Sequence, residues 1–451
     1  MRYTQLTEHD VKEMLAAIGV RTIADLFSTI PPDVRLQRDL AIPPGLSEPG
    51  MLADADALCA KNADCSKLVC FLGGGSYDHF IPGLVDALAM QSEFLTAYTP
   101  YQAEASQGTL QAFFEFQTMI CQLTGMEVAN ASLYEGATAA AEAVIVALNA
   151  TGRSRVLVAD NVHTDTHRVL ATYARHRGFE VAPLSCAGGL VDETALKAQL
   201  NDAVAAVIVQ SPNFFGCIER LDRIIPAIQS AGALSIISTD PLASGLLRPA
   251  GDFGADIVVG EGQPLGVPMA YGGPYLGFMA TREAHLRRMP GRLVGMTRDR
   301  EGRRGFCLTL QTREQHIKRE RATSNICTNQ GLLAMRAAVY MASLGRRGVA
   351  EVASQCFDKA HYAAQRIASV PGFRLKFPAP FFKEFVVQSE RAVDEVLASC
   401  RARGILAGTA ISRLAPQSGA SGELRNCFLT AVTERRTREQ IDALAEALHA
   451  S

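Results

Sequence analysis

Between about residue 109 and residue 280, short and continuously apolar runs alternate with stretches of helical periodicity, and this alternation limits the fold more than any other feature of the chain. Apolar runs at residues 155–159, 181–184, 205–210, 234–238, 256–259 and 275–280 read as buried strands. Helical patterns at 109–123, 136–149, 192–200 and 223–230 precede or separate them. Strands without an apolar-polar alternation are buried on both faces, which points to an α/β domain with a mainly parallel sheet. In such sheets ligands gather beyond the carboxyl ends of the strands, so the loops starting at Ser211, Thr239 and Gly260 are the places to look for chemistry.

The flanking regions differ. Residues 1–70 mix short helical patterns with Pro31, Pro32, Pro43, Pro44 and Pro49, the composition of an arm that wraps a neighbour. After the α/β region of 71–328, residues 329–451 carry helices near 329–343, 350–367 and 437–448 around a strand at 384–387, as expected of a small α+β C-terminal domain. A length of 451 residues suits two or three such units.

A formal net charge of −2 argues against a general nucleic-acid binder, because that affinity rests on neutralising phosphates. The first eighteen residues carry Glu8, Asp10, Lys12 and Glu13 and so lack the apolar core of a signal peptide. No apolar run approaches the roughly 20 residues needed to cross a bilayer. Eleven scattered cysteines suit reduced thiols and a cytoplasmic location better than a disulfide framework. Cys59, Cys65 and Cys70 lack the spacing of a zinc site, and His163 and His167, four apart around Asp165, have no evident third ligand, so no metal is expected.

Chemistry is suggested by an aspartate and by an absence. Asp240 closes the run 234–239, where a carboxylate could pair with the protonated ring nitrogen of pyridoxal phosphate; it could equally cap the next helical turn. The loop where an enzyme of that architecture carries its Schiff-base lysine reads GEGQPLG at 260–266, and no lysine occurs between Lys197 and Lys318. Gln263 cannot form an imine, because its nitrogen lone pair is delocalised into the carbonyl.

Three further stretches stand out. Residues 96–104, TAYTPYQAE, join two phenols, an amide and a carboxylate around a proline, suited to a cofactor ring or to a packed surface turn. Residues 71–82, FLGGGSYDHFIP, hold a glycine turn that matches no phosphate-binding fingerprint and fits an interface turn as well as a ligand. Residues 282–321 are rich in arginine, interleaved with Glu301, Glu314 and Glu320, which suits either an acidic partner or a solvated face.

Across its whole length the chain resembles the P-protein family of the glycine cleavage system. The resemblance is carried most specifically by residues 308–328, LTLQTREQHIKRERATSNICT, with support from the Gly73 turn, 98–104, 134–138 (YEGAT), 266–269 (GVPM) and 272–274 (GGP). It implies a large domain of the pyridoxal-phosphate-dependent transferase type (aspartate aminotransferase-like, fold type I), here without the Schiff-base lysine. It also implies the first, or alpha, subunit of a glycine dehydrogenase (aminomethyl-transferring), inactive alone. In that family the lysine-bearing half, or beta subunit, holds pyridoxal phosphate; glycine is decarboxylated and its aminomethyl group passes to the lipoyl arm of the H-protein. An alpha2beta2 assembly follows from the resemblance. On this reading Tyr98, Thr99, Tyr101, Gln102 and Glu104 line the partner's site, with Ser76, His79, Ser324 and Asn325 nearby, and Asp240 and Gln263 mark a vestigial cofactor pocket. Rival readings are a non-catalytic assembly or docking subunit, and an independent pyridoxal-phosphate enzyme using Lys197 or Lys318.

Overall fold

In a computed structural model the chain is described at residues 6–95, 99–414, 422 and 424–451. It divides into two compact units, Met1–Ala63 and Asp64–Ser451.

The first unit starts with the helix Glu8–Ile18. Thr7 and Asp10 cap its amino end reciprocally, satisfying amide donors that have no partner within the helix, and Gly19 ends it at φ 85°, a conformation that strains any residue with a Cβ. A 3-10 turn, Ile23–Phe27, and the helix Glu48–Cys59, entered through Ser47 and Pro49, complete its regular structure. Its apolar residues are largely exposed: Ile18, Val34, Leu40 and Ile42 each leave more than half of their surface in solvent.

In the second unit, seven strands form one sheet: β1 (Val128–Ala129), β2 (Arg155–Ala159), β3 (Glu180–Leu184), β4 (Val204–Gln210), β5 (Leu234–Thr239), β6 (Ile257–Glu261) and β7 (Gly277–Thr281). Their spatial order is β1-β7-β6-β5-β4-β2-β3. Every pair from β6 to β3 is parallel, in the register that sets Ile208 beside Ile236 and Ile236 beside Ile257; only β7 runs antiparallel, to β6 and to β1. The central strands are apolar at consecutive positions because helices cover both faces, and β4 is buried at each of Val204–Val209. The helix Gly136–Thr151 buries eleven residues in succession, most of them alanines, whose small side chains let it lie close to the sheet.

The arginine-rich region contains an antiparallel hairpin, Leu293–Arg298 with Arg304–Thr309. The two helices expected near 329–343 and 350–367 are found within Gly331–Ala368, separated by a break in helical geometry at Gly345 (φ 60°, ψ −178°). The part before this break contributes Ala334, Ala337 and Tyr340 to the core under the large sheet; the part after it contributes Ala360, Ala364 and Ile367 to a second core. That second core underlies a four-stranded sheet in the order Phe373–Leu375, Glu384–Ser389, Cys427–Ala431, Thr409–Ala410, covered by the helices Val393–Ala402 and Arg438–His449. Among the described residues no helix is long and apolar enough to cross a membrane.

Candidate functional site

The carboxyl ends of β4, β5 and β6 bring Gln210, Thr239, Asp240 and Glu261 to the wall of a cavity of about 630 Å³. The remaining wall comes from the turn Gly74–Tyr77, the amino end of the helix Gly136–Thr151, His163, and Lys383 and Glu384 at the head of a strand of the smaller sheet. The site therefore lies where strand topology predicts, and the small C-terminal sheet supplies part of its lining.

Asp240 makes two kinds of contact. Its Oδ1 accepts from the Leu242 amide at 3.0 Å, capping the 3-10 turn Pro241–Gly245. Its Oδ2 lies 2.6 Å from Lys383 Nζ. The ammonium is 2% exposed, also reaches His79 Nε2 at 2.9 Å, and stands 3.8 Å from the centre of the Tyr77 ring. Because an ammonium can only donate, His79 Nε2 accepts and its Nδ1 carries the hydrogen given to Glu434 Oε2 at 2.7 Å. Burial and the neighbouring Lys383 push the imidazole pKa below its ordinary value, which favours this neutral tautomer.

His79, Glu434 and Cys356 are the one His/Cys/Asp/Glu group among the described residues with ligand atoms close enough to share a metal ion. Both imidazole nitrogens are already committed, and burial drives the Cys356 thiol pKa far up, so the cluster is a chain of hydrogen bonds. His163 caps the helix Thr164–Arg177, accepting from the Asp165 amide, and its Nε2 lies 2.8 Å from the Gly74 carbonyl.

Gln263 is buried and fully used. Its Nε2 donates to the Tyr77 carbonyl at 3.1 Å and the Val267 carbonyl at 2.9 Å, while its Oε1 accepts from the Tyr77 amide at 3.0 Å. The amide thus clasps the glycine turn. That turn also receives Glu384: Gly74 N donates to Oε1 at 2.6 Å and Tyr77 OH to Oε2 at 2.9 Å. A Cβ at Gly73 would overlap this carboxylate, which explains the glycine there and favours the structural reading of the turn. Burial raises the Glu384 carboxyl to about 7.

The amino end of the helix Gly136–Thr151 is capped by carboxylates as well. Thr138 N donates to Glu135 Oε1 at 2.9 Å, and Gly136 N donates to Glu261 Oε2 at 3.1 Å. Glu261 Oε1 accepts from the Gln263 and Leu276 amides, at 3.0 and 2.8 Å. Even so, burial raises its carboxyl to about 7.

The other expected site residues do not gather into one site within this chain. Ser76 lines the Asp240 cavity and donates to Tyr275 OH at 2.7 Å, since that hydroxyl itself donates to the Met269 carbonyl. His79 is buried behind it. Thr99 lines a different cavity of about 400 Å³, shared with Arg292 and Asn329. Tyr101 stands beside it, its hydroxyl accepting from Arg292 Nη2 at 2.9 Å and its ring 5.1 Å from the guanidinium. Gln102, Glu104 and Asn325 are exposed, Ser324 is buried and accepts from the Ile326 amide, and Tyr98 lies outside the described residues. Of the arginine-rich segment, Arg292 and Arg313 turn inward, Arg313 donating to the Gly291 carbonyl at 2.9 Å, whereas Arg303 stays at the surface with Asp299.

Lys383, Glu135, Glu261 and Glu384 were not legible as site residues. The span from Lys197 to Lys318 holds no lysine between its ends, and Lys383 enters the pocket from the far end of the chain. Its only sequence signal is a charged Lys-Glu pair heading an otherwise apolar strand.

A primary amine, that of Lys383, does lie in this pocket, from outside the lysine-free span. It is nevertheless misplaced for an imine. The aldehyde carbon of pyridoxal phosphate is para to the ring nitrogen, so an imine-forming amine stands a full ring beyond the carboxylate that holds that nitrogen, whereas Lys383 touches that carboxylate directly. The residues present do not fit pyridoxal phosphate as a covalently held cofactor of this chain.

Sheet order, cavity position and Asp240 define an α/β fold of the pyridoxal-phosphate-dependent type I class. Sphingosine-1-phosphate lyase of Burkholderia pseudomallei shares it at a TM-score of 0.67 and 14% identity over 92% of each chain. A profile of the glycine cleavage system P-protein matches residues 1–448, and the chain belongs to that family. It is 50% identical over 447 residues to the probable glycine dehydrogenase (decarboxylating) subunit 1 of Anoxybacillus flavithermus, covering 99% of this chain and 98% of the relative. The protein of the same name from Chlorobium limicola is 50% identical over 445 residues, covering 98% of each. A crystal structure of inhibitor-bound glycine decarboxylase (P-protein) superposes at a TM-score of 0.90, with 44% identity and complete coverage of both chains.

Proposed function

We propose that this chain is the first subunit of a two-subunit glycine decarboxylase and completes, rather than contains, the active centre. The observation that carries this reading is Gln263. In the loop where this fold offers an amine, the chain has a buried amide whose hydrogen-bonding atoms are all engaged by its own backbone. End-to-end similarity to proteins named subunit 1 supports the existence of a partner subunit.

The partner would hold pyridoxal phosphate, which acts as the electron sink when carbon dioxide leaves glycine. The aminomethyl group would then pass to the lipoyl arm of the H-protein. This chain's contribution is positioning. Tyr101, half-exposed and fixed by Arg292, offers a rigid aromatic face beside the second cavity, with Thr99, Gln102 and Glu104 on the same stretch. Tyr98 belongs to the same assignment, Ser76, His79, Ser324 and Asn325 being weaker members. The exposed apolar side chains of residues 6–46 support an arm that covers a partner surface, since isolated exposure on this scale leaves a large apolar area in water. An alpha2beta2 assembly in the cytoplasm is part of the same reading.

The test is reconstitution. Glycine-dependent exchange of carbon dioxide should appear when the chain is mixed with a lysine-bearing P-protein partner and lipoylated H-protein, and should be absent from either subunit alone. Equal exchange by the partner alone would reduce this chain to an assembly subunit.

A further inference from the structure

The cavity has places for two parts of a phosphorylated pyridine ligand, its ring nitrogen and its phosphate, and this chain's own side chains fill both. A strand-end carboxylate such as Asp240 would accept from a protonated ring nitrogen; it accepts instead from Lys383 Nζ at 2.6 Å. A helix amino terminus facing a cavity is an anion site, by its free amides and its dipole. Here Gly136 N and Thr138 N donate to Glu261 and Glu135, at 3.1 and 2.9 Å. Gln263, in the loop where this fold would carry its reactive amine, is turned to the Tyr77 and Val267 carbonyls. Lys383 brings a cation to the place of the ring nitrogen, and the carboxyl groups of Glu135 and Glu261 take the amide donors that a phosphate would use.

We propose that this cavity is self-liganded: Lys383, with Glu135 and Glu261, supplies from within the chain the charges that a pyridoxal-phosphate-type ligand would bring. Asp240 and the helix terminus are thereby satisfied without a cofactor, and Lys383 excludes phosphorylated pyridines from space that would otherwise admit them. An ion pair that served stability alone would lose stability on substitution but create no binding site, and that difference is measurable.

The probe is pyridoxine 5′-phosphate, which has the ring nitrogen and phosphate but no aldehyde, so surface lysines cannot capture it covalently. Titration calorimetry on the full chain should find weak or no binding to the wild type, and binding at least about tenfold tighter to Lys383→Met, where Asp240 is left without its cation. The ligand should also raise the melting temperature of the variant more than that of the wild type. If Lys383→Met does not fold, the comparison moves to Lys383→Gln, which removes the cation, keeps a hydrogen-bond donor beside the Asp240 carboxylate, and should show a gain in the same direction. Wild-type binding as tight as that of the folded variant, or no gain in the variant, overturns the proposal.

Discussion

Lys383 Nζ lies 2.6 Å from Asp240 Oδ2 inside the second unit, joining the head of a small-sheet strand to the carboxyl end of β5. The Lys383 side chain is almost wholly buried and that of Asp240 largely so, and each charge depends on the other and on the bonds around it. His79 and the Tyr77 ring complete the surroundings of the ammonium.

Removing one member of such a pair is costly. Lys383→Met should lower unfolding free energy by about 3–5 kcal/mol, because it strands the Asp240 carboxylate. Lys383→Met/Asp240→Asn should recover much of that loss. Denaturant titrations of the four proteins in the cycle give the coupling directly, and additive losses would mean that the two charges do not sustain one another.

Glu384 predicts a pH signature. Its carboxyl is raised by burial to about 7 in the folded chain, from an ordinary 4.5. Between those values the folded chain keeps a proton that the unfolded chain releases. The resulting stability is complete below about 4.5 and is lost as pH rises through 7. Glu384→Gln keeps the neutral, hydrogen-bonding form at every pH. Its stability relative to the wild type should therefore improve by roughly 3 kcal/mol between pH 4.5 and pH 8. A difference that stays flat over that range would mean Glu384 is ionised throughout.

Gly73 is required by space. A methyl group there would meet the Glu384 carboxylate and Ala431, both in a packed interior. Gly73→Ala should cost about 1–3 kcal/mol in thermal or chemical unfolding, and an unchanged midpoint would show that the turn can shift aside.

Tyr101 should report on the partner's site. In the reconstituted complex, Tyr101→Ala should depress glycine decarboxylation by about tenfold or more while leaving the subunits associated, because a misplaced positioning group costs rate without breaking the assembly. Unchanged exchange would remove the 98–104 stretch from the site.

Much of the large sheet was readable because central strands such as Arg155–Ala159 and Val204–Gln210 are nearly continuous apolar runs, and burial on both faces leaves that pattern in the residues themselves. The runs expected at 155–159 and 205–210 are found as Arg155–Ala159 and Val204–Gln210. That Asp240 closes a strand was readable from the residues, whereas its grouping with Gln263 as a cofactor pocket rests on the resemblance alone. What fills the pocket was not readable, since Lys383 arrives through tertiary packing and no local spacing announces a contact between distant segments. The helices expected near 329–343 and 350–367 are found on either side of Gly345, whose positive φ breaks helical geometry between them.

With Gln263 in the loop of the reactive amine and Lys383 held against Asp240, this chain should carry no covalent pyridoxal phosphate. The reconstituted complex should be loaded with the cofactor, reduced with borohydride, digested and analysed by mass spectrometry. A pyridoxyl lysine should appear on a partner-subunit peptide and on none from this chain's cavity; a pyridoxyl group on Lys383 would contradict the account.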